Sequence, residues 1–179
     1  MSVIVKCERY YNSFIASFMA FILSANRKDP KESAEAFREY QLYLASVERQ
    51  FPPSAFKLAT SDWYYGGGPK SPHDGWLESI QISEMPSGDR KQVRLTEVRV
   101  RLLGSCHDGY IELHYARVFN YSLSASFHTE PGAEISHGDW LWDEFTLSDK
   151  GNVVHEIEWQ HGVWKIEADD VLYRWTRVA

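Results

Sequence analysis

From Gly75 to the C-terminus, the sequence alternates apolar and polar residues in short runs separated by turn-forming segments. A period of two places apolar side chains on one face of a β-strand, and short connections favour antiparallel neighbours. The sequence therefore predicts an antiparallel meander sheet of six to seven strands. The predicted strands are Trp76–Ser83, Val93–Leu103, Tyr110–Leu123, Trp140–Leu147, Val153–Trp159, Val163–Ala168 and Val171–Arg177.

Two helices are predicted ahead of this sheet. In residues 9–25, bulky apolar side chains recur with helical spacing, and the apolar run is too short to span a bilayer, which favours a buried helix. Residues 30–50 follow Asp29, a good N-cap, and begin with Pro30, which suits the first helical position. The predicted fold is α+β, with an antiparallel helix pair packed on one face of a curved sheet.

The chain has 179 residues, a length that suits one domain. Within it we expect a helical hairpin over residues 1–53, a connector over 54–74 and the sheet over 75–179. The connector holds aromatic residues next to three consecutive glycines, which is typical of a binding loop. The aromatic residues of this predicted loop are Trp63, Tyr64 and Tyr65.

A short pattern occurs twice, once before each of two predicted strands. His73-Asp74-Gly75 and His107-Asp108-Gly109 are each followed by an aromatic residue, an aliphatic residue and a glutamate. Asp-Gly fits a tight turn, because glycine tolerates a positive φ and aspartate can cap its own backbone. We interpret the repeat as a structural corner, and the alternative is that it forms half of an active site.

One pair of side chains has the chemistry for acid/base catalysis. Glu112 and His114 share the polar face of a predicted strand, and they could line a cleft with His107 and the Trp63–Gly68 segment. The alternative is that these polar residues only face water. The seven histidines and two cysteines match no metal-ligand spacing, so no metal or cofactor is predicted.

The C-terminal third combines acidic residues with tryptophans. Residues 130–170 hold eleven acidic and two basic side chains, a net charge of −9, which repels nucleic acid and attracts basic surfaces. Exposed tryptophan beside carboxylates is typical of a protein-binding hot spot, although covered sheet faces would place the same tryptophans in the core. The predicted partner-binding residues are Trp140, Trp142, Asp143, Glu144, Glu156, Glu158 and Asp139.

A resemblance adds to this interpretation. The stretch Arg101-Leu102-Leu103-Gly104, followed by residues 107–115, is similar to small uncharacterised bacterial cytosolic proteins, some of which resemble immunity proteins of polymorphic toxin systems. The resemblance extends over the sheet-forming part of the chain, and no catalytic residue carries over from it. It implies a cytoplasmic protein that binds a toxin.

The leading hypothesis is an acidic protein-binding domain, most concretely an immunity protein that neutralises a toxin, such as a nuclease, by occluding a basic surface. The first alternative is a small-molecule-binding or hydrolytic enzyme that uses the His/Glu cleft. The second is a homo-oligomeric structural protein, in which the tryptophan face pairs with itself in a homodimer. With only two cysteines and no membrane span, we expect a cytoplasmic location and neither a membrane nor a nucleic-acid partner.

Overall fold

The computed structural model describes residues 20–127 and 135–178, in which six strands form one antiparallel sheet. The strands are β1 (Trp76–Ser87), β2 (Val93–Leu103), β3 (Gly109–Ala125), β4 (Trp140–Leu147), β5 (Val153–Trp159) and β6 (Gly162–Arg177). They lie in the order β1-β2-β3-β6-β5-β4, so two three-stranded meanders join along β3 and β6. The predicted α+β fold with an antiparallel meander sheet is confirmed.

The last two predicted strands form a single strand, β6. The predicted break at Asp169 and Asp170 is wrong, because β3 pairs with β6 on both sides of this point. The carboxylate of Asp170 accepts hydrogen bonds from the backbone N–H groups of Ser54 and Ala55, at 3.1 and 2.8 Å. Asp169 forms an ion pair with Arg117 at 2.8 Å. The two carboxylates therefore serve contacts along a continuous strand.

The helical region contains α1 (Pro30–Val47), a 3₁₀ turn (Glu48–Gln50), α2 (Pro53–Ala59) and α3 (Asp62–Tyr65). The Asp29 side chain accepts a hydrogen bond from the backbone N–H of Lys31 at 2.8 Å, as expected of an N-cap. The helix predicted over 9–25 lies mostly outside the described residues, and its described end, residues 20–25, forms turns. The predicted helix pair is therefore not confirmed. Within the described ranges, no helix is long and apolar enough to cross a membrane.

Helix α1 packs along the outer edge of β4. The Tyr40 hydroxyl accepts a hydrogen bond from the backbone N–H of Phe145 at 2.8 Å and donates to its C=O at 3.0 Å. The Tyr43 hydroxyl accepts from the N–H of Leu147 at 2.8 Å. Because β4 ends the strand order, these backbone groups would otherwise be free to pair with another chain. Helix α1 therefore seals a sheet edge with tyrosine hydroxyls.

The sheet closes on itself at one end. Although β1 and β4 lie at opposite ends of the strand order, the N–H of Asp74 donates to the C=O of Trp140 at 2.9 Å. The N–H of Trp140 in turn donates to the C=O of Gly75 at 3.0 Å. The inner face of this curled sheet carries the core. Its fully buried side chains include Val98, Leu102, Ile111, Leu113, Tyr115, Phe145, Ile157 and Ile166.

The two copies of the repeat begin β1 and β3 at the same end of the sheet. Trp76 and Tyr110 both pair with Leu103 of the strand between them. The ring of His107 lies against Trp76, with ring centroids 4.6 Å apart. These contacts favour the interpretation of the repeat as a structural corner.

The reason for glycine in the repeat differs from the prediction. Within the repeat, the residues with positive φ are Asp74, at 61°, and His107, at 55°, and neither Gly75 nor Gly109 is among them. A Cβ atom on Gly109 would collide with the indole of Trp175, and one on Gly75 would lie 2.8 Å from a backbone oxygen. The glycines are therefore needed for close approach.

Candidate functional site

A buried polar network joins α3 to three strands of the sheet. The carboxylate of Asp143 accepts hydrogen bonds from the indole N–H of Trp140 at 2.9 Å and the hydroxyl of Tyr64 at 3.0 Å. Its Oδ2 also lies 2.9 Å from His155 Nε2. His155 Nδ1 lies 2.7 Å from the hydroxyl of Tyr115. We assign the imidazole hydrogen to Nε2, because Nδ1 then accepts from tyrosine and every contact is satisfied.

This network has the composition of an acid/base site but is closed to solvent. All five side chains are buried, and burial raises the pKa of Tyr64 and Tyr115 well above its ordinary value. A general base must reach the proton that it removes, and no substrate can approach His155 here. The arrangement suits a rigid cross-link between α3, β3, β4 and β5.

The outer surface of β4 and β5 carries an acidic face, defined by Trp142, Glu144, Glu156 and Glu158. Residues 20–28 of the same chain lie on it. The Glu144 carboxylate accepts from three successive backbone N–H groups, of Phe21, Ile22 and Leu23, at 3.0, 2.8 and 3.3 Å. Burial raises the pKa of Glu144, and these N–H groups oppose that rise only in part. The acidic face thus holds a turn of its own chain.

A basic side chain from the same segment also occupies the acidic face. The guanidinium of Arg27 lies 2.6 Å from a Glu158 oxygen, and its centre is 5.7 Å from the centroid of the Trp142 ring. Lys165 of β6 lies 3.2 Å from Glu156. A cation held between a carboxylate and an indole is the contact expected of a basic partner, and here the chain supplies it.

The predicted exposed surface is therefore wrong at three positions. Trp140, Asp143 and Glu144 are buried and make internal hydrogen bonds. A register shift between Trp140 and Trp142 turns Trp140 toward the core, and strict alternation along β4 does not foresee it. Asp143 lies two residues before the buried Phe145, so alternation itself places it on the core face. Glu144 does point outward, but residues 20–28 cover it.

The other four predicted partner-binding residues remain partly exposed. Asp139 accepts a hydrogen bond from the indole N–H of Trp76 at 2.8 Å, so it also has an internal contact. Binding of an external partner at these positions stays a prediction. The four residues are Trp142, Glu156, Glu158 and Asp139.

The predicted aromatic loop is part of the folded body. Its residues form α3, with the Tyr64 side chain buried against the network. The rings of Trp63 and Tyr173 lie 5.0 Å apart, and those of Tyr65 and Phe37 lie 5.4 Å apart. The segment is therefore a helical turn that packs against the fold, in which Tyr64 is buried and Trp63 keeps 37% of its surface exposed.

A second polar surface lies on the outer side of β2, β3 and the C-terminal half of β6. We call it the arginine face, and its residues are Arg99, Arg101, Glu112, His114, Leu172 and Arg174. They line an open concavity of about 520 Å³. The three arginine side chains are exposed, with 59%, 43% and 72% of their surface accessible.

Ion pairs order the side chains of the arginine face. Nε of Arg174 donates to Glu112 at 2.6 Å. Glu97, at the rim, lies 3.2 Å from Arg99 and 3.1 Å from His114 Nε2. The Arg101 guanidinium lies over the ring of Tyr110 at 3.9 Å. Sequence reasoning missed the arginines, although their placement at alternate positions of a predicted strand was a usable signal.

The predicted His/Glu cleft is not assembled. Glu112 and His114 share the concavity, but Glu112 forms an ion pair with Arg174, and His114 Nε2 lies 3.1 Å from Glu97. His107 lies at the corner against Trp76, and of the described residues none between 63 and 68 lines the concavity. The structure thus brings together two of the side chains proposed for catalysis and leaves the others elsewhere.

Within residues 20–127 and 135–178, no group of three or more histidine, cysteine, aspartate or glutamate side chains could hold a metal ion. Comparison of the sequence with protein-family models and with curated proteins finds no match to either.

Proposed function

We propose that this protein is a protein-binding domain that docks a partner on its arginine face. The observation that carries the proposal is an exposed, concave sheet surface in which arginines stand beside Tyr110 and Leu172. Arginine and tyrosine are the residues that most often dominate the binding energy of protein interfaces. Their ion pairs with glutamates hold the guanidinium groups in place before a partner arrives, which lowers the ordering cost.

The chemistry of this face indicates what the partner presents. Arg99, Arg101 and Arg174 outnumber the carboxylates Glu97 and Glu112 around the concavity. A complementary surface carries acidic side chains around an apolar group that contacts Leu172. We therefore expect the partner's contact patch to be acidic, whereas the acidic composition of this chain alone suggested a basic partner surface.

A toxin-neutralising role of the immunity-protein type is the concrete form of this proposal. Its support is the resemblance carried by Arg101–Gly104 and residues 107–115, since that stretch supplies Arg101, Glu112 and His114 to the arginine face. A partner bound there would have its own surface covered by the arginine face across the width of β2, β3 and β6.

The proposal is tested by recovering partners with the tagged full-length chain from its native host and identifying the products of neighbouring reading frames. For the partner recovered, the double variant Arg99→Glu with Arg101→Glu is expected to raise Kd at least about tenfold, or about 1.4 kcal/mol. The matched control is Arg90→Glu with Lys150→Glu, which makes the same charge change at exposed turns.

Equal loss of affinity in both double variants would indicate long-range charge effects and contradict docking on the arginine face. Unchanged affinity in the arginine-face variant would do the same. A loss confined to the acidic face, tested with Glu156→Lys, would move the docking surface there.

A further inference from the structure

The outer half of β3 has a neighbouring strand on one side only. Strand β2 pairs with β3 from Tyr110 to Tyr115, whereas β6 pairs with it as far as Ala125. The two neighbours part where Arg117 adopts a positive φ of 50° and the register with β6 shifts between Val118 and Asn120. A bulge of this kind bends a strand and ends its pairing on one side. Among the described residues, Val118–Ala125 therefore forms an open sheet edge.

The hydrogen-bond pattern shows which backbone groups point outward from this edge. The N–H of Ser126 donates to the C=O of His161 at 2.9 Å, which fixes the alternation of the ladder between β3 and β6. In an antiparallel ladder, every second residue directs its N–H and C=O away from the partner. The residues that do so are Tyr121, Leu123 and Ala125. Each presents one donor and one acceptor along the edge.

This edge lacks the protection found at the outer edges of β4 and β1. Tyr40 and Tyr43 cap β4, the start of β1 is bridged to Asp139, and the rest of β1 carries Glu78, Glu84 and Pro86. Natural edge strands avoid pairing with other chains by carrying charges or proline, and residues 118–125 contain neither. The side chains of Phe119 and Tyr121 are also 50% and 45% exposed. An uncharged, partly apolar edge of this length favours strand addition.

We propose that Val118–Ala125 is a homodimer interface, in which the β3 edges of two copies pair in antiparallel fashion. A strand paired with its own copy brings identical side chains together, so any charge would meet a like charge, and this segment has none. Two-fold pairing centred on Leu123 sets Tyr121 of one copy opposite Ala125 of the other. The three outward-pointing residues of each copy then make about six main-chain hydrogen bonds.

The test is the oligomeric state of the full chain, measured by sedimentation equilibrium over a range of concentrations. The wild-type chain is expected to be a concentration-dependent dimer. Tyr121→Pro removes an outward N–H and leaves the ladder to β6 intact, so the dissociation constant of the dimer should rise at least tenfold. Tyr121→Lys, which places like charges across the interface, should give the same loss, and salt should partly restore the dimer.

Val163→Lys is the matched control, because Val163 is 55% exposed on the neighbouring strand and lies away from the free edge. It should leave the dimer unchanged, and circular dichroism should show all variants folded. A wild-type chain that stays monomeric at about 1 mM overturns the proposal. So does a dimer that survives both Tyr121 variants, or one that Val163→Lys disrupts equally.

Discussion

The acidic face and the arginine face are outer surfaces of the same sheet, but residues 20–28 cover part of the first and the second is open to solvent. On the acidic face, Glu144 is fully buried beneath residues 20–28 and Glu158 holds Arg27. On the arginine face, Glu112 and Arg174 form their ion pair in the open. Alternation along a strand tells which side chains point outward. On the acidic face, the solvent exposure of these outward side chains depends on residues 20–28, which lie more than a hundred residues away in the sequence.

The two faces should also differ in what their charges contribute to stability. A carboxylate taken out of water requires compensating partners, and losing one of those partners costs several kcal/mol. An exposed ion pair contributes about 0–1 kcal/mol, because water already solvates both groups. Mutations can therefore rank the two faces.

The largest effect is expected behind the acidic face, at Asp143. Asp143→Ala leaves the hydrogen-bond donors of Trp140, Tyr64 and His155 without their acceptor in a buried site. We expect a loss of about 3–5 kcal/mol in the free energy of unfolding, measured by urea denaturation. Asp149→Ala, in an exposed turn, is the control and should cost less than about 0.5 kcal/mol. A cost below about 1 kcal/mol for Asp143→Ala would mean that the network adds little.

The covered carboxylate Glu144 should make stability depend on pH. Its pKa in the folded state is raised above the ordinary value of 4.5 by burial, so the folded chain binds the proton more tightly than the unfolded chain. The stability of the wild type relative to Glu144→Gln should therefore be greatest below pH 4.5 and fall as pH rises above it. Urea denaturation of both proteins at several pH values measures this difference. A difference that grows with pH would reverse the sign and contradict burial of the charged group.

The Arg27–Glu158 pair should contribute a smaller, measurable coupling. Both side chains are about three-quarters buried, and the Trp142 ring adds a cation–π contact. A double-mutant cycle of Arg27→Ala and Glu158→Ala should give a coupling free energy of about 1 kcal/mol. No coupling would show that this ion pair does not help to hold residues 20–28 on the acidic face.

The smallest effect is expected for the matching pair on the arginine face. Arg174 is 72% exposed and Glu112 is partly exposed, so the cycle of Arg174→Ala and Glu112→Ala should give less than about 0.5 kcal/mol. Added salt at 1 M should abolish it, because exposed charges are screened. A coupling as large as that of Arg27 and Glu158 would remove the contrast between the two faces.

What the sequence predicted well depended on local signals. Helix α1 begins where Asp29 and Pro30 place it, and the strands follow the period-two alternation. The acidic pair Asp169–Asp170 led to a wrong strand break, because it resembles a turn and instead makes contacts to α2 and Arg117. The sequence carries the turn signal, whereas the contacts depend on tertiary structure.

The candidate site was harder to predict, because its decisive features are not local. The bulge in β4 moves Trp140 to the inner face, and no glycine or proline within the strand marks it in the sequence. The cover over Glu144 comes from residues 21–23, which no periodicity connects to β4. The alternating Arg99 and Arg101 were visible, but their exposure became clear only with the fold.

The seal on β4 has a consequence for the order in which the protein assembles. Tyr40 meets Phe145 across 105 residues, and Arg27 meets Glu158 across 131. Contacts between distant parts of a chain form late, since a long loop must close first. During synthesis the N-terminal part emerges first, so we expect β1, β2 and β3 to pair with their sequence neighbours before α1 reaches β4. We therefore expect the half of the sheet that carries most of the arginine face to form before residues 20–28 cover the acidic face.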